Sequence, residues 1–335
     1  MAKRKKNRSI TLVVSIVVLV LFAFSINILL KKLSGISLQD VINSFNAISR
    51  YQIIASFGLM IMSYTVFTCY DLLAIKYLGY GTKYVKILMG SFVSYVFSEN
   101  LGFAVISGST IRYKYYSEWG ISPKHIAKAI TFCTITFWLG MLAVAGIFLT
   151  THPIVLPETS IFSNLLFLRG TLLGPLMLVI VGAYFFIGIL RKTPLKIIGS
   201  QYIIPSNRLA FLQLLIGMTD FIIGAGVFYM LLPHSNMLDF PQFVSFFMFV
   251  KVIVLFSNIP AGLGVFETLM LMLLAPYYSD VTILGTIVLY RVIYYILPLF
   301  TALFLYSFNE IKSGYKRAKA FMRLIRFRKK KINLS

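Results

Sequence analysis

Apolar runs recur along the chain at about 10–30, 52–75, 84–106, 125–149, 169–190, 209–232, 243–275 and 282–307. A helix needs about 20 apolar residues to cross roughly 30 Å of hydrocarbon, so this pattern predicts membrane helices joined by polar loops. The run 10–30 follows Lys3, Arg4, Lys5, Lys6 and Arg8. It is longer than a signal-peptide core and lacks a small-residue cleavage site, which reads as a retained first helix.

Two runs are interrupted by helix-breaking clusters near their middles. In 243–275 the cluster is Ser257-Asn258-Ile259-Pro260-Ala261-Gly262-Leu263-Gly264-Val265-Phe266-Glu267. Pro260 lacks a backbone donor and clashes with the preceding turn, while Gly262 and Gly264 admit left-handed backbone. In 84–106 the cluster is Ser98-Glu99-Asn100-Leu101-Gly102. Backbone freed from a helix persists at membrane depth only against protein or a water-filled cavity, so each break is expected to wall a substrate site. The simpler alternative is a proline kink that only helps helices pack.

Charge between the runs orients them. Segments 76–86, 108–128 and 191–208 are basic and read as cytoplasmic, whereas 150–168, 233–242 and 276–281 hold no Lys or Arg and read as external. The loop 31–51 departs from the rule with Lys31, Lys32 and Arg50. Under this assignment the run 84–106 begins and ends inside, and 243–275 begins and ends outside. The expected fold is an all-α polytopic membrane protein with six full spans plus two opposed re-entrant helical hairpins in an inverted repeat. Its halves cover about 10–166 and 167–310, between basic cytoplasmic tails at 1–9 and 311–335. Such repeats place the substrate near the bilayer midplane between discontinuous helices.

Composition agrees: of 335 residues 59% are hydrophobic and 13% charged, and the mean hydropathy is +0.85, far from a soluble domain. The net charge of +22 is concentrated at the ends, where 15 of the 32 Lys and Arg residues lie. Residues 312–331 interleave ten basic residues with Phe321, Met322, Leu324, Ile325 and Phe327, a pattern suited to the anionic inner leaflet. Nucleic acid is the weaker reading. Cys69 and Cys133 lie in apolar runs, and His125, His152 and His234 near span ends, so neither a disulfide framework nor a metal site is expected. No zinc-peptidase, paired-cysteine or Walker motif occurs, no Ser-x-x-Lys-type nucleophile set is found, and no cofactor is expected.

Ionisable residues inside the runs are the candidates for chemistry. They are Asp71, Glu99, Asp220, Lys251, Glu267 and Arg291, with Arg112 close after the first hairpin. Each costs about 2.5–3.5 kcal/mol at the bilayer centre unless paired or hydrated, and the set points to an internal polar cavity. Any one of them is as well explained by a buried structural ion pair. Ser107-Gly108-Ser109-Thr110 is expected to expose backbone N–H groups ahead of a helix at 111–119, a phosphate cradle beside the Arg112 fork. Gly262 and Gly264 would do the same ahead of Glu267. Asn100, Asn258 and Pro260 complete the candidate substrate-binding set.

Four ordered motifs carry a resemblance. Tyr70-Asp71-Leu72-Leu73, Gly108-Ser109-Thr110-Ile111-Arg112 with Tyr115-Tyr116, Ile259 to Glu267, and Leu289 to Pro298 resemble the N-terminal membrane domain of the bacterial multiple peptide resistance factor, the lysylphosphatidylglycerol synthetase and flippase. The resemblance covers about residues 10–310. Ala261 departs from it, since the family usually has a second glycine there. In that family a cytosolic domain transfers lysine or alanine to phosphatidylglycerol. Here the sequence ends after the basic tail, so the expectation is that this chain is not itself that enzyme. The resemblance implies a flippase carrying aminoacylated phosphatidylglycerol to the outer leaflet, which counters cationic antimicrobial peptides. On a flippase reading, Arg112 and Arg291 with the two breaks are expected to bind phosphate, and Asp71, Glu99, Asp220 and Glu267 to receive the ammonium groups. Alternatives are a carrier of another lipid or glycolipid, an intramembrane enzyme using a carboxylate base, and a scaffold docking a separate synthase through the basic tail. A second copy of the chain is a further candidate partner.

Overall fold

The structure, a computed structural model, describes residues 48–101, 104–154, 172–190, 195–197, 200–202, 205–234, 237–257 and 259–309, with single residues 39, 45 and 311. The expected first helix at 10–30 and both basic tails lie outside these, apart from Ile311.

Helix α1 (Arg50–Tyr77) starts at a reciprocal cap in which Ser49 Oγ accepts from Gln52 N at 3.2 Å and Gln52 Oε1 accepts from Ser49 N at 2.9 Å. There follow α2 (Tyr84–Leu101), α3 (Ala104–Glu118), α4 (Pro123–Thr151) and α5 (Leu173–Leu190). After them come α6 (Asn207–Tyr229), α7 (Phe240–Ser257), a 3₁₀ turn (Pro260–Gly262), α8 (Val265–Leu274) and α9 (Asp280–Asn309). A π turn at Val292–Ile296 interrupts α9.

Six described helices are long and apolar enough to cross a membrane: α1, α4, α5, α6, α7 and α9. Five coincide with expected spans; the sixth, α7, is the first arm of the run 243–275. The 18 residues of α7 rise about 27 Å, close to the hydrocarbon thickness, whereas the ten of α8 rise about 15 Å and cannot cross alone. One element departs from the all-α expectation. Strands β1 (Leu195–Ile197) and β2 (Ser200–Tyr202) pair antiparallel, with Leu195 opposite Tyr202. The stretch between Pro194 and Pro205 is isoleucine-rich with Gly199-Ser200 at its centre, which is hairpin chemistry.

The centre of the bundle is α1, α4 and α6, packed on one another. At the α4–α6 crossing Gly217 faces Gly140, and a Cβ at Gly217 would stand 2.7 Å from the Thr136 carbonyl oxygen. Gln213, fully buried on α6, donates to Thr136 Oγ1 at 2.8 Å and accepts from Tyr184 of α5 at 3.1 Å. Small residues and such hydrogen bonds are what hold helices together where lipid is as apolar as leucine. Val179, Phe186, Ile189 and Leu190 of α5 are exposed, as expected of a lipid-facing surface.

The arms α2 and α3 fold against each other and pack on α1 and α4, while α7 and α8 pack together and on α4, α6 and α9. The 3₁₀ turn between α7 and α8 touches α2, so the two broken segments meet. The first break differs from expectation in position. Helix α2 stays regular through Leu101, and α3 begins at Ala104, so Ser107–Thr110 lie inside a helix and not ahead of one. Gly108 explains this: it lies against α2, where a Cβ would collide with the Ser98 hydroxyl oxygen. Its small size serves packing, and its amide is not a free phosphate donor.

The glycine crossing is open to direct test. Gly217→Leu should destabilise the purified protein by about 1–3 kcal/mol or more through overpacking, read as a lower thermal unfolding midpoint in detergent. Gly182→Leu, at a position with open space around it, should leave the midpoint unchanged.

Candidate functional site

Three adjoining cavities share Glu99 and Phe137 in their walls and together form a chamber between the two broken segments, its walls largely apolar with a few charged side chains set into them. The largest, about 90 Å³, is bounded by Ser98 and Glu99 of α2, Lys251 of α7, Ala261 and Gly262 of the turn, and Tyr295 of α9. The second, about 80 Å³, reaches Ser109 and Arg112 on α3 and Trp138 on α4. The smallest, about 20 Å³, is lined by Glu99, Asp220, Lys251 and Tyr294.

Each cation of the set stands beside a carboxylate. Arg112 donates from Nε to Asp71 Oδ1 at 2.8 Å and from its second nitrogen to Oδ2 at 3.3 Å. Tyr116 also donates to Asp71, the Cys133 thiol lies 3.8 Å away, and the Tyr95 ring faces the guanidinium at 4.7 Å. Asp71 is fully enclosed and Arg112 nearly so, and this closed network leaves Asp71 no free face for an ammonium group. Lys251 Nζ donates to Glu99 Oε2 at 3.3 Å and to the Tyr295 hydroxyl at 3.2 Å, with both side chains of the ion pair partly open to the chamber at 17% and 20%.

The third pair holds the break in shape. Glu267 Oε2 accepts from Gly264 N at 2.7 Å, capping α8, while Oε1 accepts from Arg291 Nε at 2.5 Å. Arg291 also donates to the Ala261 carbonyl at 3.1 Å. The capped amide at Gly264 is therefore engaged by the chain itself. Ala261 has φ +50°, a left-handed conformation that costs a non-glycine residue about 1–2 kcal/mol. This is the position where a second glycine belongs by resemblance.

Asp220 stands apart. Its oxygens accept from Tyr70 at 3.1 Å and Ser63 at 3.4 Å, and it makes no salt bridge among the described residues. Asn100 turns back to the Val96 carbonyl at 2.8 Å. Pro260 opens the 3₁₀ turn, and Asn258 lies outside the described residues. Sequence reasoning missed the tyrosines. Arg-x-x-Tyr-Tyr occurs at 112–116 and again at 291–295, and the second tyrosine of each, Tyr116 and Tyr295, bonds a charged member of the set. That recurrence is the signal that could have found them. Outside the chamber an apolar groove of about 430 Å³ runs between α1, α2 and α9, lined by Phe57, Met60, Tyr64, Phe92, Leu297 and Pro298 among others. The Tyr64 ring packs on Tyr294 at 5.6 Å and so stands between groove and chamber.

No protein-family model matches the chain. It is 41% identical over 285 residues to an uncharacterized protein of Synechocystis, covering 84% of this chain and 87% of the relative. It is 30% identical over 312 residues to the inner membrane protein YbhN of Escherichia coli, covering 91% of each. Against the phosphatidylglycerol lysyltransferase of Staphylococcus xylosus the identity is 26% over 320 residues, which are 95% of this chain and 36% of that protein. The chain thus spans about a third of the length of the lysyltransferases it matches.

Two outcomes follow from the pairing and the break. Arg112→Leu should cost about 3–5 kcal/mol by stranding the Asp71 carboxylate, and Asp71→Asn added to it should recover most of the loss in a double-mutant cycle of unfolding free energies. Ala261→Gly should raise stability by about 1 kcal/mol as the left-handed strain is relieved, read as a higher unfolding midpoint.

Proposed function

The chain belongs to the family of the inner membrane protein YbhN and is homologous to about a third of the phosphatidylglycerol lysyltransferase chain, and from that premise we propose that it is a flippase. Its substrate in this reading is an amino-bearing phospholipid, lysyl- or alanyl-phosphatidylglycerol, which it carries to the outer leaflet. The observation that supports this best is the Glu99–Lys251 pair, a loosely held charge pair that faces a cavity inside the helix bundle.

The physical requirement is to pass one phosphate and one or two ammonium groups through hydrocarbon without an uncompensated charge. An ion pair that opens toward the head group meets it: Lys251 takes the phosphate while Glu99 takes one ammonium, so the charges of the pair, the phosphate and that ammonium stay matched throughout. Arg112 and Ser109, at the adjoining cavity, offer the phosphate its next position. Arg291 and Glu267 act as a brace that keeps Ala261 and Gly262 in the chamber wall. The apolar groove beside Tyr64 suits an acyl chain.

In this reading the two broken hairpins enter from opposite faces, and the halves at about 10–166 and 167–310 rock to expose the chamber to each leaflet in turn. Both ends are cytoplasmic in the inner membrane, with the basic tails on the anionic leaflet. Delivery of a cationic lipid outward lowers the negative surface charge and so weakens the binding of cationic antimicrobial peptides.

The test is transport by the full chain in proteoliposomes containing fluorescent lysylphosphatidylglycerol, with outer-leaflet label bleached at intervals. Lys251→Gln and Glu99→Gln should each slow movement by roughly tenfold or more, equivalent to about 1.4 kcal/mol on the barrier, while eluting as folded protein. Wild-type rates in both variants would contradict the assignment of this pair to the head group.

A further inference from the structure

The chamber holds one carboxylate that lipid exchange at Glu99 and Lys251 leaves unused. Asp220 is 4% exposed on α6, near the middle of a membrane helix. The other three carboxylates of the set are matched to Lys251, Arg112 and Arg291, whereas among the described residues Asp220 is held only by neutral hydroxyls. A permanently ionised carboxylate in that setting needs a cation; a protonated one does not.

The hydroxyls around it serve both states. Tyr70 donates to Oδ2 at 3.1 Å, and Ser63 stands 3.4 Å from Oδ1 and 2.9 Å from the Tyr294 hydroxyl. Either member of the Ser63–Tyr294 bond can be the donor. With Asp220 ionised, the bonds run from Tyr294 to Ser63 to the carboxylate. With Asp220 protonated, they reverse, and the carboxyl donates to Ser63. The adjoining cavity of about 20 Å³ is bounded by Asp220, Glu99 and Lys251 together. That volume accommodates about one water, which needs at least roughly 10–15 Å³.

We propose that Asp220 is a proton-binding site: it holds a proton while Lys251 pairs with Glu99, and it loses that proton to the cavity water when Lys251 turns to it. The groups facing it are Tyr64 and Tyr70 from α1, Tyr95 and Glu99 from α2, Lys251 from α7 and Tyr294 from α9, while α4 presents Phe137. Lys251 is the only cation among them. Once the phosphate has passed from Lys251 to the Arg112 cavity while the lipid ammonium still occupies Glu99, Lys251 turns toward Asp220 and one proton leaves. Lipid movement is thereby tied to the proton gradient. This coupling rests on the flippase reading; the proton site itself does not.

Two measurements on the full chain in lipid vesicles separate these claims. The first is the infrared difference between about pH 6 and about pH 9, a range in which ordinary carboxyls near pKa 4 are ionised at both ends. The wild-type chain should show a protonated-carboxyl stretch that is lost on going to alkaline buffer. Asp220→Asn should lack it, and Asp220→Glu should restore it at a shifted frequency. The second is the lysylphosphatidylglycerol movement rate with and without an imposed pH gradient. The wild-type ratio should differ severalfold from one and collapse when a protonophore is added, and Asp220→Asn should give a ratio of one. A spectrum without the band, or with the band intact in Asp220→Asn, overturns the proton site. A titrating band with lipid movement indifferent to the gradient overturns the coupling. A titrating band in vesicles that move no lipid supports the proton site and rejects the flippase reading.

Discussion

A charge buried among membrane helices must find its opposite, and the arrangement of this protein follows from how it meets that demand. Arg112 with Asp71, Lys251 with Glu99 and Arg291 with Glu267 each join two different helices, so each pair also fixes a tertiary contact. The pairs differ in how tightly they are closed. Asp71 is saturated by a guanidinium fork and a tyrosine, and it ties α3 to α1. Glu99 and Lys251 share one longer contact and face open space. The first is suited to hold a hairpin in place, and the second to change partners.

The same demand shapes the break between α7 and α8. Unwinding a helix inside a membrane frees backbone groups that must be bonded again. Glu267 engages the Gly264 amide and Arg291 engages the Ala261 carbonyl, so the ion pair doubles as backbone repair. Left-handed backbone at Ala261, Gly262 and Gly264 lets the chain turn within a few residues and brings the turn against α2. The strain at Ala261 is tolerated because both sides of the break are fastened. A rigid break of this kind supplies a fixed wall, leaving motion to the chamber's looser pair.

Much of this was legible in the chain. Hydrophobic runs located five of the six described apolar helices, and the expense of charge in hydrocarbon singled out seven residues of which six form the three pairs. The cluster at Pro260 marked its break because proline and glycine act locally, whatever surrounds them. Partnership was not legible: Arg112 and Asp71 are 41 positions apart and Lys251 and Glu99 are 152 apart, and nothing local encodes those meetings. Gly108 was misread for a related reason. A glycine beside serines looks like a cap, and only the neighbouring helix shows that it is a place where two backbones come close. Tyr295 escaped because a tyrosine in an apolar run reads as bulk until its hydroxyl has a partner, and Tyr116 because it falls in a segment whose charge reads as a cytoplasmic loop.

The central claim is that a lipid head group enters the chamber between the two breaks and is held there by Glu99 and Lys251. A cryo-electron-microscopy map of the full chain in nanodiscs containing lysylphosphatidylglycerol addresses it most directly. The account predicts head-group density between Lys251 and the Ala261–Gly262 wall, with the Lys251–Glu99 contact opened around it. A closed pair, with ordered lipid confined to the outer surface of the bundle, would contradict it.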